Sequence, residues 1–307
     1  MIRVLSIENS LRWSWGIVFK HLRKLLGEKY RVIRIFKKSK VDINPNLLRA
    51  YPLILAQNID NVSLIKICRE KLILRIGGMV LDERNKGSRY DKELAQVGAI
   101  IATNKQLYDI AVRVNSNVYV IPNGVNLEMF KPSKEKLERK FTVGFAGNIW
   151  GMGGNYKGWQ YYVGATISLY GLVKNIECLH NGPKHQRQIK HEDMPEKFYH
   201  KIDCLILPSK GEGCSNVVSE ALACGVPVLL TKVGYHGETL KDGQECLFIK
   251  RDVQDIVDKV KMLINNPKLH KKISVNGRKF VEKNQDIKIV ARKYDEVFQS
   301  VLNKNDK

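Results

Sequence analysis

One stretch, residues 203–250, DCLILPSKGEGCSNVVSEALACGVPVLLTKVGYHGETLKDGQECLFIK, restricts the fold of this chain more than any other. Its apolar run Cys204–Leu207 stops at Pro208, the pattern of a strand buried on both faces and followed by a loop. Residues 216–224 then read as a helix that Ser215 or Asn216 can cap and that Gly225 can close in a left-handed conformation. A second buried strand is expected over 226–230. A strand, helix, strand unit belongs to a parallel sheet, whose ligands sit beyond the carboxyl ends of the strands. There a helix amino terminus offers unpaired N–H groups and partial positive charge, which favours a phosphate by roughly 0.3–2 kcal/mol.

Two carboxylates frame this anion site, Glu212 in the loop and Glu220 on the helix. A carboxylate repels phosphate but accepts well from neighbouring hydroxyls. A ligand that joins phosphates to hydroxyl-rich rings, a nucleotide sugar, suits both features. Two solvated surface acids are the alternative that the spacing alone leaves open.

The pattern Glu212-x7-Glu220 inside EGCSNVVSEALACGVPVLLT, followed by Gly234-Tyr-His-Gly-Glu238 and Asp242-Gly243, resembles the carboxy-terminal signature of retaining GT-B glycosyltransferases of family 4. Several features at matching offsets make the resemblance far more specific than two spaced acids. It implies that Glu212 holds the donor-sugar hydroxyls as the catalytic carboxylate, that Glu220 holds the ribose hydroxyls, and that the amides of Ser215, Asn216 and Val217 face the diphosphate. Lys157, in the Gly-rich segment 147–158, fits the family's diphosphate-neutralising lysine, and Glu238 a further donor contact. Asn148 departs from the pattern, since an arginine is usual there. The segment 122–132, PNGVNLEMFKP, is similar to the family's stretch just before the second domain, and Asn181-Gly182-Pro183 to its turn near the nucleotide base. The strand end 74–79, LRIGGM, lacks the histidine many relatives carry near the sugar, so no first-domain catalyst is assigned.

The resemblance is strong over 122–285 and weak over 1–121. It implies an α/β, GT-B architecture: two Rossmann-like domains with parallel sheets facing a cleft, an acceptor side over 1–132, a nucleotide-sugar side over 133–285, and a last helix over 286–307 that crosses back to the first domain. A chain of 307 residues, 44% hydrophobic, can bury two ordinary cores. Apolar runs at 2–7, 30–36, 53–56, 72–76, 99–102 and 118–121 alternate with helical patterns at 16–27, 61–70, 88–97 and 104–113, as a covered parallel sheet requires. Farther on, strands are expected at 141–146 and 175–180, and helices at 253–264, 267–283 and 286–302.

No apolar stretch reaches the roughly 20 residues of a membrane span, and the start MIRVLSIEN reads as a strand, so a cytoplasmic enzyme is expected. Six scattered cysteines without CxxC pairs suggest reduced, buried thiols, and His180, His185, His191 and His200 read as surface or loop residues without ligand spacing. Neither a metal nor a cofactor is expected, the nucleotide sugar being a co-substrate. The net charge of +21 leans on a basic segment with Lys20, Arg23, Lys24, Arg31, Arg34, Lys37 and Lys38. It is either a solvated face or a dock for an anionic membrane surface or polyanionic acceptor. The expected reaction moves a sugar from a nucleotide sugar to a surface glycan or lipid-linked saccharide. A nucleotide-sugar epimerase and a transferase acting on DNA are the alternatives, although no nucleic-acid-binding motif accompanies the charge.

Overall fold

A computed structural model describes residues 1–8, 14–36, 45–57, 69–77, 91–133, 139–147, 155–181 and 189–305. Asn148, Lys37, Lys38, His185 and most of the helix expected over 61–70 lie outside them. The chain divides into two compact units, Met1–Gly124 with Ile287–Lys307, and Val125–Asp286. Residues 125–132 thus pack with the second unit, where Phe130 is buried in the core, so the division falls earlier than residue 132.

In the first unit, β1 (Ile2–Glu8), β2 (Tyr30–Phe36), β3 (Leu53–Gln57), β4 (Leu72–Ile76), β5 (Ala99–Ala102) and β6 (Val118–Val120) form one parallel sheet in the order β2-β1-β3-β4-β5-β6. Alternate residues enter two separate cores: Val4 and Ile73 one, Leu5 and Leu74 the other. Burial on both faces is why these strands read as continuous apolar runs instead of alternating ones. One core is closed by Phe19 and Leu22 from the Ser14–Leu26 helix and by Tyr294, Val297, Phe298 and Val301 from the Ile287–Asn305 helix. Asp295 of that last helix accepts from Lys29 Nζ at 2.5 Å and from the Tyr30 hydroxyl at 2.6 Å.

The second unit holds β7 (Phe141–Ala146), β8 (Ile176–Asn181), β9 (Cys204–Leu207), β10 (Val228–Leu230) and β11 (Leu247–Phe248), all parallel, in the order β11-β10-β9-β7-β8. β10 begins two residues later than its apolar run suggests. Gly225, at φ +73°, donates to the Leu222 carbonyl and Val226 to that of Ala221, so Val226 closes the preceding helix and cannot join the ladder. Ser215 stands at the helix N-cap with extended backbone, but its side chain makes no capping bond. The helical pattern over 88–97 narrows to Asp91–Leu94 among the described residues. The described cysteines are free thiols, all buried except the half-buried Cys178.

Candidate functional site

Residues 155–158, just before the Trp159–Leu172 helix, meet the loops at the carboxyl ends of β9 and β10 in the second unit, and glycines let them approach. Gly158 (φ +78°) would place a Cβ 2.1 Å from the Pro208 carbonyl oxygen, and Gly234 (φ +60°) one 2.4 Å from that of Glu212. No other residue fits either position without moving backbone. Lys210 donates its N–H to the Tyr156 carbonyl at 2.7 Å and Tyr235 donates to that of Gly213 at 2.8 Å, stitching the β9 loop to both neighbours.

This stitching places Lys157 Nζ 2.5 Å from Glu212 Oε1, an oxygen that also accepts from the Ser209 hydroxyl at 2.7 Å. Both partners of the ion pair keep some exposure, Lys157 more than Glu212. Behind them the Asn216–Ala223 helix starts with Asn216 and Val217 in its first turn and Ser215 at its cap, its amino end beside Glu212 in a small depression that Ser209, Ser215, Thr231 and His236 also line. A phosphate there would meet helix N–H groups and a lysine, and a sugar hydroxyl would meet a carboxylate already oriented by two donors.

Glu220 lies farther along the same helix and is buried. Tyr199 donates its hydroxyl to Oε2 at 2.7 Å, and His191 Nε2 meets Oε1 at 2.8 Å. His191 is therefore no plain surface residue: it is bonded to one of the two framing acids. Burial, reinforced by the Glu220 charge, holds the Tyr199 hydroxyl protonated far above its ordinary range. Glu238 sits on the exposed side of the Gly234–Thr239 helix.

Beneath the helix start lies a polar cluster. Gln285 Nε2 donates to the Ser219 hydroxyl at 2.8 Å, and His236 Nε2 lies 3.1 Å from that hydroxyl and 3.2 Å from Gln285 Oε1. Burial pushes His236 down to about 4, against a smaller upward pull from Gln285, so the ring is neutral at pH 7. Among the described residues no group of three or more His, Cys, Asp or Glu is placed to hold a metal ion, and no helix is long and apolar enough to cross a membrane.

Residues 125–280, half of the chain, match the family model described as glycosyl transferases group 1. The chain belongs to that family. The glycosyl transferases group 1 match covers nearly all of the second unit, where Lys157, Glu212 and Glu220 stand. Among curated proteins the chain is 26% identical over 211 residues to the capsular polysaccharide biosynthesis glycosyltransferase CapM of Staphylococcus aureus, covering 60% of this chain and 54% of CapM. It is 34% identical over 118 residues to an uncharacterized glycosyltransferase of Methanocaldococcus jannaschii, covering 38% and 33%. The chain thus spans about half or less of those relatives' length. It is 24% identical over 241 residues to the lipopolysaccharide core biosynthesis mannosyltransferase LpsB of Rhizobium meliloti, covering 68% and 67%.

Among solved structures, sucrose-phosphate synthase from Thermosynechococcus elongatus superposes with a TM-score of 0.82 at 15% identity, over 99% of this chain and all of that one. Anabaena HepE, in complex with UDP and glucose, gives 0.74 at 14% identity, over 98% of this chain and all of HepE. The architecture is GT-B, two α/β Rossmann-like domains with parallel sheets.

Sequence reasoning singled out Lys157, Glu212 and Glu220 but not Ser209, His191, Tyr199, His236 or Gln285. Tyr199 and His191 reach Glu220 from 21 and 29 residues away and Gln285 reaches His236 from 49, separations at which a single sequence carries no pairing signal. Ser209 is the exception, three residues before Glu212 in the same loop.

Proposed function

We propose that this chain transfers a sugar from a nucleoside-diphosphate sugar, bound by the Val125–Asp286 unit, to a glycan or lipid-linked acceptor with retention at the anomeric carbon. The observation that carries this reading is the Lys157–Glu212 pair beside the start of the Asn216–Ala223 helix, which sets cation, helix N–H groups and carboxylate within one small space. The chain's family, and the capsular polysaccharide and lipopolysaccharide core roles of its relatives CapM and LpsB, support it.

In this reading the amides of Ser215, Asn216 and Val217 and the Lys157 ammonium face the diphosphate. Breaking the bond from C1 to the phosphate oxygen leaves negative charge on the diphosphate and positive charge on the ring. Donors fixed in advance around the phosphates stabilise that charge without reorganising, and this is their catalytic contribution. Glu212 holds hydroxyls of the sugar, Glu220 the ribose, and Glu238 supplies a further donor contact. Charge neutralisation by the protein's own groups implies activity without an added divalent metal, so transfer should persist in excess EDTA.

The test is a panel of nucleotide sugars screened for thermal stabilisation and slow donor hydrolysis, with Glu212→Ala and Lys157→Ala alongside. One donor should stabilise the native chain, and both substitutions should remove the response. Unchanged response in both variants contradicts the site, and an isomerised donor formed without acceptor favours the epimerase alternative.

A second element of the reading concerns placement. Lys20, Arg23, Lys24 and Arg31 are exposed in the first unit, and each such residue contributes on the order of 1 kcal/mol at an anionic lipid surface. The enzyme would rest on the inner membrane face through them. Arg34 is partly buried, 5.7 Å over the Phe19 ring, and takes less part. Co-sedimentation with anionic liposomes against binding to duplex DNA, both across a salt series, separates this placement from a polyanionic acceptor.

A further inference from the structure

Glu220 is bonded through both oxygens, and the two donors come from different short turns: His191 from the His191–Asp193 turn and Tyr199 from the Tyr199–Lys201 turn. The Phe130 ring lies against both, 5.1 Å from the His191 ring and 5.9 Å from that of Tyr199. Arg278 fixes Phe130 in turn, donating to its carbonyl at 2.7 Å and to that of Ala223, at the end of the Glu220 helix, at 2.5 Å. The carboxylate is therefore held in one plane by donors that are themselves wedged.

An ionised carboxylate offers about four lone-pair sites. His191 and Tyr199 take one each, and the pair that remains is the number of acceptors a vicinal diol needs. We propose that His191, together with Tyr199, is a positioning residue for Glu220, aiming its two remaining lone-pair sites at the 2′ and 3′ hydroxyls of the donor's ribose and so determining selection of ribose over 2′-deoxyribose. The inference rests on the donor-site reading above and adds to it what makes Glu220 selective. Binding without such an orienter leaves a carboxylate free to swing between rotamers, so the diol loses a fixed partner while phosphate and base contacts persist.

Tyr199 is fully buried and its replacement endangers the core, whereas the His191 side chain keeps 21% exposure and can be truncated without opening it. The experiment measures dissociation constants of UDP, GDP, ADP and CDP for the full chain by calorimetry, then compares the tightest with its 2′-deoxy counterpart. Native protein should prefer the ribonucleotide by about tenfold, the loss expected when a hydrogen bond to a charged acceptor is missing. His191→Ala should weaken the ribonucleotide about tenfold and the deoxynucleotide less than twofold, collapsing the preference, and His191→Gln, which keeps an N–H donor, should restore part of it. Tyr199→Phe, where it melts as the native chain does, should act like His191→Ala.

Equal weakening of both nucleotides by His191→Ala, or an unchanged ratio, overturns the inference. Glu220→Ala separates this from failure of the underlying reading. If Glu220→Ala collapses the ratio and His191→Ala does not, only the positioning role falls. Should Glu220→Ala leave the ratio untouched, or no nucleoside diphosphate bind the native chain, the donor-site reading falls and the inference with it.

Discussion

Lys157 and Glu212 form the tightest charged contact of the site, and both are only partly buried, so water screens the pair toward the roughly 0–1 kcal/mol of surface ion pairs. Glu212→Gln should therefore change the urea midpoint little while sugar transfer falls at least a hundredfold, as removal of a catalytic contact does. A parallel loss of stability would mean the residue is structural. His236 has the opposite character. Its neutral form is favoured in the folded chain, where the group titrates near 4 against an ordinary value of 6.5. The unfolded chain thus binds the extra proton first, so the stabilisation is complete above pH 6.5 and declines as pH falls toward 4, by about 3 kcal/mol. Urea unfolding at pH 7 and pH 4.5 should show this decline, flattened in His236→Gln. Asp295 adds to it below its own ordinary value: burial alone would raise it, but the bonds from Lys29 and Tyr30 outweigh that and hold the carboxyl low. The framing acids could be read at this scale because they stand eight apart within one motif. Their partners could not, since His191 and Tyr199 look like any loop histidine and core tyrosine until the chain brings them to Glu220.

At the scale of elements, two left-handed glycines give contrasting expectations. Around Gly225 a Cβ would meet nothing closer than 3.4 Å, so Gly225→Ala carries only the conformational cost of about 1–2 kcal/mol, with nucleotide binding unchanged. Gly158→Ala meets the Pro208 carbonyl head-on and must displace the adjoining backbone that carries Lys157. Calorimetry should show nucleotide affinity reduced by tenfold or more there, in keeping with the sensitivity of sites to small displacements. Strand positions were legible as apolar runs, because burial on both sheet faces leaves little room for polar residues. Their ends were not: Val226 has the composition of a strand residue, and only its bond to Ala221 assigns it to the helix terminus. The helix expected over 253–264 does start at Val253, where the Asp252 side chain caps it by accepting from the Asp255 N–H at 2.8 Å.

For the whole molecule, the second unit is one continuous segment with its own core, whereas the first is assembled from two segments. A fragment of residues 125–286 should unfold cooperatively by circular dichroism, and residues 1–124 alone should not, because Tyr294, Val297, Phe298 and Val301 are missing from their core. Addition of a peptide spanning 287–305 should restore part of the transition. The GT-B pattern was legible in the second half, where the motifs sit, and faint in the first, where apolar alternation alone spoke for a sheet. On the ribosome residues 1–124 are made before the Ile287–Asn305 helix and lack, until then, the Tyr294, Val297, Phe298 and Val301 side chains that seal their core. Residues 125–286 can finish folding while that sheet still waits, so biosynthesis must shelter it until residues 287–305 have been translated.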